Sequence, residues 1–242
     1  MKRWQNRVSE SRRTLPIAIV YGVGVWLLAG LFHQQWWVQF ACFLLSIAVL
    51  TELDNHNALI RIYSRMVSVV FVFLSCSACF LFPSMAGSIF QLCFIASLYA
   101  LFRCYQDRQA VGWTFYSFML LGLGSLVLVH TLYLVPVYWL LMAITIYSFS
   151  WRTFSASLLG VLCPYWFFAA WILYGNEGDW NLLIGHLELL RHYIMPYDYK
   201  QINLSQVLMF MFITILTVTG IIHYVRTSFR DKIRTRQLYY SM

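Results

Sequence analysis

Charge is scarce in this chain, and its scarcity decides the class of protein. Charged residues make up only 11% of the 242 residues, whereas hydrophobic residues make up 61% and aromatic residues 19%. An ordinary soluble domain carries about 25% charged residues. A soluble helical fold of this length has too little interior to hide so much apolar surface. The composition therefore excludes an ordinary soluble domain and predicts an integral membrane protein.

Motifs for metal and phosphate chemistry are also missing. The six cysteines lie inside or at the ends of apolar runs, and the CxxC pair Cys76 and Cys79 has no second pair that would complete a zinc site. We interpret these thiols as buried apolar residues. The glycine-rich stretch GLGSL lacks the Lys-Ser/Thr ending of a phosphate-binding loop. The sequence therefore predicts neither a metal nor a cofactor.

Ionisable side chains are absent from the middle of the apolar runs, and His130, near the end of one run, comes closest. A proton-coupled pump needs acids or histidines at membrane depth. The pattern therefore disfavours that class of transporter.

Eight apolar runs, divided by polar clusters, are long enough to cross a bilayer, which takes roughly 17–25 residues. We predict an all-α membrane domain of eight transmembrane helices within residues 15–225. A basic N-terminus (1–14) precedes it and a basic tail (226–242) follows it; the first span is expected to be an uncleaved anchor. The predicted spans are 15–32, 36–53, 66–82, 85–102, 112–129, 133–150, 154–174 and 204–225.

The placement of the basic residues predicts the orientation of these spans, because cytoplasmic loops carry an excess of Lys and Arg. With both termini in the cytoplasm, all but two of the 17 Lys and Arg residues lie on the cytoplasmic side. The two exceptions are Arg191 and Lys200. The net charge of +8 then reflects contact with anionic lipid and not with nucleic acid.

Three predicted hairpins turn on the cytoplasmic side at arginines, within NALIRIYSRMV, LFRCYQDRQAVG and FSWRTF, at similar spacings. Duplication of one hairpin explains this periodicity. Three hairpins of similar length that obey the charge rule explain it equally. The second interpretation is favoured, and the first is left open.

The predicted outer loop, residues 175–203, lies on the side of the membrane away from the cytoplasm. It is polar, unlike the other predicted connections on that side. At 100° per residue, residues 180–194 place their apolar side chains on one stripe and Glu188 and His192 on the opposite side. This pattern predicts an amphipathic helix that lies in the outer interface or against the spans. The predicted stripe consists of Trp180, Leu183, Ile184, Leu187, Leu190 and Ile194.

Four residues of this loop are candidate site residues. Glu188 and His192 lie four apart and form either an acid–base unit or an ordinary solvated pair. Arg191, at the margin of the apolar stripe, suits a phosphate or carboxylate, although snorkelling to anchor the helix explains it too. His186 is the second candidate for substrate binding. His186 and His192 point about 240° apart on a helix, so they do not share a metal ion.

Pro164 lies near the middle of the seventh span and clashes with the carbonyl group one turn back, at Gly160, which predicts a kink. Small residues in the fifth and seventh spans permit close helix packing, either within a bundle or with a partner protein. They are Gly112, Gly122, Gly124, Ser125, Ser155, Ala156, Ser157 and Gly160.

The stretches NALIRIYSRMVS and WRTFSASLLGVLCPYWF resemble an uncharacterised family of multi-pass envelope proteins from Bacteroidota. The resemblance extends over the second to seventh spans. It implies a multi-pass fold in a bacterial inner membrane, and it carries over no activity and no site residues.

Two functions are compatible with these features. The first is a non-enzymatic inner-membrane subunit that packs with partner membrane proteins, through its small-residue faces, in a cell-envelope machine and contacts membrane lipids. The second is an enzyme or transporter for a lipid-linked, phosphate-bearing substrate at the outer leaflet, using Arg191, His186, Glu188 and His192. We favour the first because the sequence contains no complete catalytic constellation. The early outer segment HQQWW also lacks the carboxylates typical of sugar transferases.

Overall fold

Each predicted apolar run contains a helix in the computed structural model of the chain, which describes residues 13–57, 66–175, 180–192 and 203–226. Helices account for 87% of these residues, among which no strand occurs. Helices α1–α7 and α9 correspond to the predicted spans, and α8 corresponds to the predicted amphipathic helix. The helices are α1 (Thr14–Leu28), α2 (Trp37–Asn57), α3 (Met66–Ser77), α4 (Met85–Phe102), α5 (Val111–Val127), α6 (Leu134–Leu141), α7 (Trp151–Gly175), α8 (Asn181–His192) and α9 (Leu204–Arg226).

Four helical stretches within the described residues are long and apolar enough to cross a bilayer: Trp37–Asn55, Met85–Phe102, Val129–Ile146 and Trp151–Gly175. The third of these joins a 3-10 turn, helix α6 and a π-helical segment (Met142–Ile146). Helices α1, α3, α5 and α9 are apolar but offer shorter stretches. The all-helical class is thus confirmed, with four helices long and apolar enough to span a membrane. The count of eight spans and the orientation of the termini stay predictions. The basic N-terminus up to residue 12 and the tail after residue 226 lie outside the described residues.

Three helices end before the predicted boundaries. Helix α1 stops at Leu28 because Gly30 adopts a left-handed φ of 96° and starts a separate turn, Leu31–Gln34. Helix α3 stops at Ser77 and is followed by a 3-10 turn. The π-segment after α6 ends where Tyr147 takes a φ of 56°. Apart from Gly30, the apolar runs give little signal for these breaks, because most of the residues around them are still apolar.

The helices pack as two apolar clusters joined side by side. Helices α1, α2 and α3 surround Trp26, whose ring stacks on Phe82 at a centroid distance of 3.9 Å. Helices α4, α5 and α6 surround Tyr138 and Phe118. The clusters meet where α2 packs against α4, and α7 packs along α5.

Helix α9 stands apart from this arrangement. It makes no extensive contact with another helix in the described part of the chain, and its side chains between Leu204 and Thr219 are exposed except for Met209, which is half-buried. Phe210, for example, is 73% exposed.

Hydroxyl groups link the helices of the second cluster. The Tyr138 hydroxyl lies 2.5 Å from Ser97 Oγ, and Ser117 Oγ donates to the carbonyl of Ser97 at 2.8 Å. Trp139 Nε1 donates to Ser157 Oγ at 2.9 Å. Such bonds join helices where lipid removes the hydrophobic force between them, and each contributes roughly 0.6 kcal/mol on average.

Glycines allow α5 and α7 to approach closely. A Cβ atom at Gly160 would lie 2.6 Å from the carbonyl oxygen of Phe115, and one at Gly122 would lie 3.0 Å from that of Val161. Ala156 and Ser157, on the same side of α7 as Gly160, are buried as well. The small-residue faces of α5 and α7 are therefore used for packing within the chain.

The cysteines follow the prediction with one exception. Cys42, Cys76 and Cys104 are buried, and Cys93 and Cys163 are half-buried. Cys79 is exposed, which corrects the expectation that every thiol is buried. Its thiol donates to the carbonyl of Cys76 at 2.8 Å and not to the other sulfur. The position follows from the break after α3, which turns this residue outward.

Replacement of Gly160 by Ala should separate α5 from α7, because the added methyl group meets backbone atoms that cannot yield. We expect a loss of about 1–3 kcal/mol of stability, the usual range for overpacking. The matched control is Gly112→Ala in α5, where nothing lies within 4 Å of the new Cβ. Thermal unfolding in mild detergent compares the two variants. Equal melting temperatures for both would show that the close approach is not required.

Candidate functional site

Helices α5, α7 and α8 meet at the C-terminal end of α5, around the predicted site residue Pro164. Pro164 is buried, and its Cγ would lie 3.1 Å from a Cβ at Gly122. Helix α7 continues through Pro164 without interruption. The proline thus contacts α5 directly, and the predicted kink stays a prediction.

Two hydroxyl groups lie next to this contact. Ser125 Oγ donates to the carbonyl of Gly122 at 2.6 Å and lies 2.9 Å from the hydroxyl of Tyr165. Tyr165 follows Pro164 directly in α7. The contact of Pro164 with α5 therefore fixes the position along the two helices at which the hydroxyl groups of Ser125 and Tyr165 meet.

His186 of α8 completes the cluster. Its Nε2 atom lies 3.1 Å from the carbonyl oxygen of Ser125, and its ring centroid lies 6.4 Å from that of Tyr165 and 6.3 Å from that of Phe168. The last four carbonyl groups of a helix lack partners within the helix, and α5 ends at Val127. Because a carbonyl oxygen only accepts, Nε2 carries the hydrogen in this contact.

A second hydrogen bond holds α8 in place. The hydroxyl of Tyr133, in the 3-10 turn after α5, donates to the carbonyl of Leu190 at 2.9 Å. Leu190 is in the last turn of α8, so this bond also satisfies a terminal carbonyl group. Helix α8 is thus tied at two points to the C-terminal end of α5, roughly 25 Å along the helix from the loop that precedes Val111.

The packed face of α8 differs from the predicted apolar stripe. Its half-buried residues are Leu183, His186 and Leu190, whereas Trp180 and Leu187 are 45% and 40% exposed. Helix α8 therefore turns His186 toward α5, because the carbonyl of Ser125, which lacks a partner within α5, offers an acceptor there.

The predicted site residues do not all converge. His186 and Pro164 belong to the same cluster through Ser125 and Tyr165, whereas Glu188 is exposed on α8. Arg191 and His192 form the last residues of α8, and their side chains lie outside the described residues. Neither the predicted acid–base pair nor the predicted arginine clamp is tested by this geometry.

Three members of the cluster, Ser125, Tyr165 and Tyr133, were not predicted as site residues. The sequence indicated Ser125 only as one of the small residues that permit close helix packing, because it lies in GLGSL. Nothing in the sequence around Tyr165 or Tyr133 distinguishes these tyrosines from the many other aromatic residues of the chain.

The chemistry available in the cluster is that of hydrogen bonding. It holds one imidazole and several hydroxyl groups, and its polar atoms are largely engaged by backbone carbonyls. Among the described residues, no group of three His, Cys, Asp or Glu side chains is placed to hold a metal ion. The arrangement fastens α8 to the bundle and does not form a nucleophile–base pair.

Comparisons with known protein families, with characterised proteins and with solved structures find no match to this chain. The resemblance to envelope proteins of Bacteroidota therefore stays a prediction.

Removal of both ties should release α8. We expect the double variant His186→Ala with Tyr133→Phe to show faster backbone hydrogen–deuterium exchange across residues 181–190, since each lost hydrogen bond contributes about 1 kcal/mol. Protection should fall roughly 30-fold in the double variant, and about fivefold in each single variant. Glu188→Gln, at an exposed position on the same helix, is the control and should leave exchange unchanged. Unchanged protection in the double variant would contradict the docking of α8.

Proposed function

We propose that the chain is a non-enzymatic, multi-pass subunit of a bacterial inner membrane that packs against partner membrane proteins in a cell-envelope assembly. In this proposal it crosses the bilayer eight times, with both termini in the cytoplasm and α8 on the outer face. Helix α9 is the main partner surface.

The observation that carries this proposal is the isolation of α9. A helix of 23 residues, apolar along most of its length, makes no extensive contact with the other described helices. Phe210 and Ile215 are 73% and 60% exposed. In membranes, helices associate through packing and hydrogen bonds with neighbouring helices. A partner helix beside α9 supplies the neighbour that the other described helices do not.

The exposed side of α7 supports a second contact region. Its small-residue side packs on α5, and its other side presents large aromatic residues. Trp166, Phe167 and Tyr174 are 76%, 69% and 97% exposed. Aromatic side chains dominate the energetics of protein interfaces. The partner surface is therefore proposed on the aromatic side of α7 and on α9, and no longer on the small-residue faces.

The proposed topology is supported by the separation of α8 from the arginine-bearing loops. Helix α8 is bonded near the C-terminal end of α5, whereas Arg103 and Arg108 precede the N-terminal end of α5. Opposite ends of one membrane helix lie on opposite sides of the bilayer. Because arginine-rich loops are cytoplasmic by the positive-inside rule, α8 belongs to the outer face.

The alternative, an enzyme or transporter for a lipid-linked phosphate-bearing substrate, receives less support. His186 is bonded to the carbonyl of Ser125, and Glu188 is exposed on α8. No described residue joins these two side chains into a site for a phosphate.

Single cysteines placed on α8 and in the loop before α5 test the topology. In a variant without native cysteines, we expect Glu188→Cys to react with a membrane-impermeant maleimide in intact spheroplasts. Gln109→Cys should react only in inverted vesicles. Both positions are exposed, so access from the aqueous side decides the labelling. Labelling of both from the same side would contradict the proposed topology.

Photo-crosslinking tests the partner surface. A benzophenone amino acid at Phe210 in α9 should give a discrete protein adduct in native membranes, because a partner helix lies within reach. The matched control is the same probe at Val20 in α1, which is 72% exposed and should react mainly with lipid. Identical patterns at both positions, or no protein adduct at Phe210, would contradict the proposed role of α9.

A further inference from the structure

Two loops meet at the end of the bundle opposite α8. The amide of Gln106, in the loop between α4 and α5, donates to the carbonyl of Ile146 at 2.9 Å. Ser150 Oγ, just before α7, donates to the carbonyl of Arg108 at 3.0 Å. These bonds hold Arg108 beside the start of α7, where Arg152 is also exposed.

The backbone of both loops is unusual at the point of contact. Gln106 and Tyr147 each have a φ of 56°, in the left-handed region. This conformation costs a residue other than glycine roughly 1–2 kcal/mol. The π-helical segment Met142–Ile146 ends at the same place, and such segments are frequent at functional sites. The hydrogen bonds between the two loops offset this conformational cost.

Arg103, in the first of these loops, has a fixed side chain. Its guanidinium carbon lies 5.2 Å from the ring centroid of Tyr99 and 5.0 Å from that of Trp113. Its Nη2 atom donates to the hydroxyl of Tyr99 at 2.6 Å. Its Nε atom is buried and has no hydrogen-bond partner in the described residues. A buried donor without a partner is rare in proteins, and the described part of the chain leaves this Nε atom without an acceptor.

Three acids lie near the arginines Arg103, Arg108 and Arg152, which we call the arginine end. Asp107 Oδ1 accepts the amide hydrogen of Gln109 at 2.8 Å. Glu52 and Asp54 lie at the neighbouring end of α2, next to the contact of α2 with α4. Asp54 Oδ2 has no hydrogen-bond partner among the described residues, and no ion pair there joins Asp54 or Asp107 to the arginine end.

We propose that the arginine end binds the phosphate group of an anionic phospholipid. Guanidinium groups are weakly hydrated and match phosphate oxygens with two parallel hydrogen bonds. Basic sites between helices on the cytoplasmic side are suited to anionic head groups. Trp113 and Trp151, 40% and 81% exposed at the same end, supply the aromatic side chains typical of head-group depth. The inference rests on the proposed membrane topology, and it is independent of the partner surface on α9.

Native mass spectrometry of the full-length protein, released from nanodiscs of mixed phosphatidylglycerol and phosphatidylcholine, tests the proposal. We expect the wild-type protein to retain phosphatidylglycerol preferentially. The double variant Arg108→Ala with Arg152→Ala should lose that preference by on the order of 20-fold, about fivefold for each arginine. Both side chains are exposed, so this variant is expected to fold. Arg103→Lys should weaken retention as well, since an ammonium group keeps the charge but not the planar fork.

The charge-matched control is Lys2→Ala with Arg3→Ala, which removes two positive charges from the N-terminus on the same predicted side. It should retain phosphatidylglycerol as the wild type does. An equal loss in the control would show that general surface charge attracts the lipid, and it would overturn the proposed site. No preference for phosphatidylglycerol in the wild type would overturn it as well.

A second arm identifies the source of the phosphate group. Inorganic phosphate, added in excess before release from the nanodisc, should not displace the lipid. Displacement by phosphate, with phosphate retained in its place, would assign the site to a soluble compound and overturn the lipid proposal. Cysteine labelling tests the topology separately, so failure of lipid binding and failure of the membrane topology are distinguishable.

Discussion

The close contact between α5 and α7 is the constraint on which the rest of the described structure depends. Phe115 places its carbonyl against Gly160, and Val161 places its carbonyl against Gly122, further along the pair. Two contacts at two heights prevent the helices from sliding or rotating separately. This fixes Tyr165 next to Ser125 at one end and Ser150 next to the carbonyl of Arg108 at the other. The α8 cluster and the arginine end are therefore consequences of one packing arrangement.

The distribution of polar and apolar side chains around that contact is the reverse of a soluble fold. Ser97, Ser117 and Thr114 are fully buried between helices, while Leu28 and Tyr174 are 90% and 97% exposed. In water, each large apolar side chain that stays exposed loses the roughly 1.5–3 kcal/mol of stabilisation that its burial would contribute. A few such residues equal the whole net stability of a domain, about 5–15 kcal/mol. In a bilayer the same exposure costs nothing, and the buried hydroxyls join the helices.

The positions of the helices followed from the sequence because an apolar run is a local property. The predicted second span, short and interrupted by Gln39, is one of the four long spans, since its helix extends through the polar residues to Asn57. The turns at Gln106 and Tyr147 had no local signal, because neither is glycine or asparagine and tertiary contacts impose their conformation. The same holds for the site. Pro164 and His186 were recognisable by residue type, but their meeting through Ser125 depends on a long-range contact that a single sequence does not encode locally.

The two ends of the α5–α7 pair are held by different hydrogen bonds. At the α8 end, His186 and Tyr133 donate to the terminal carbonyls of α5 and α8. At the other end, the side chains of Ser150 and Thr153 exchange hydrogen bonds with each other's backbone amides and so cap the start of α7. Side-chain hydrogen bonds therefore hold helix termini at both ends of the pair. The arginine end also holds the cations Arg103, Arg108 and Arg152, and these are the groups that bind the lipid phosphate in our proposal.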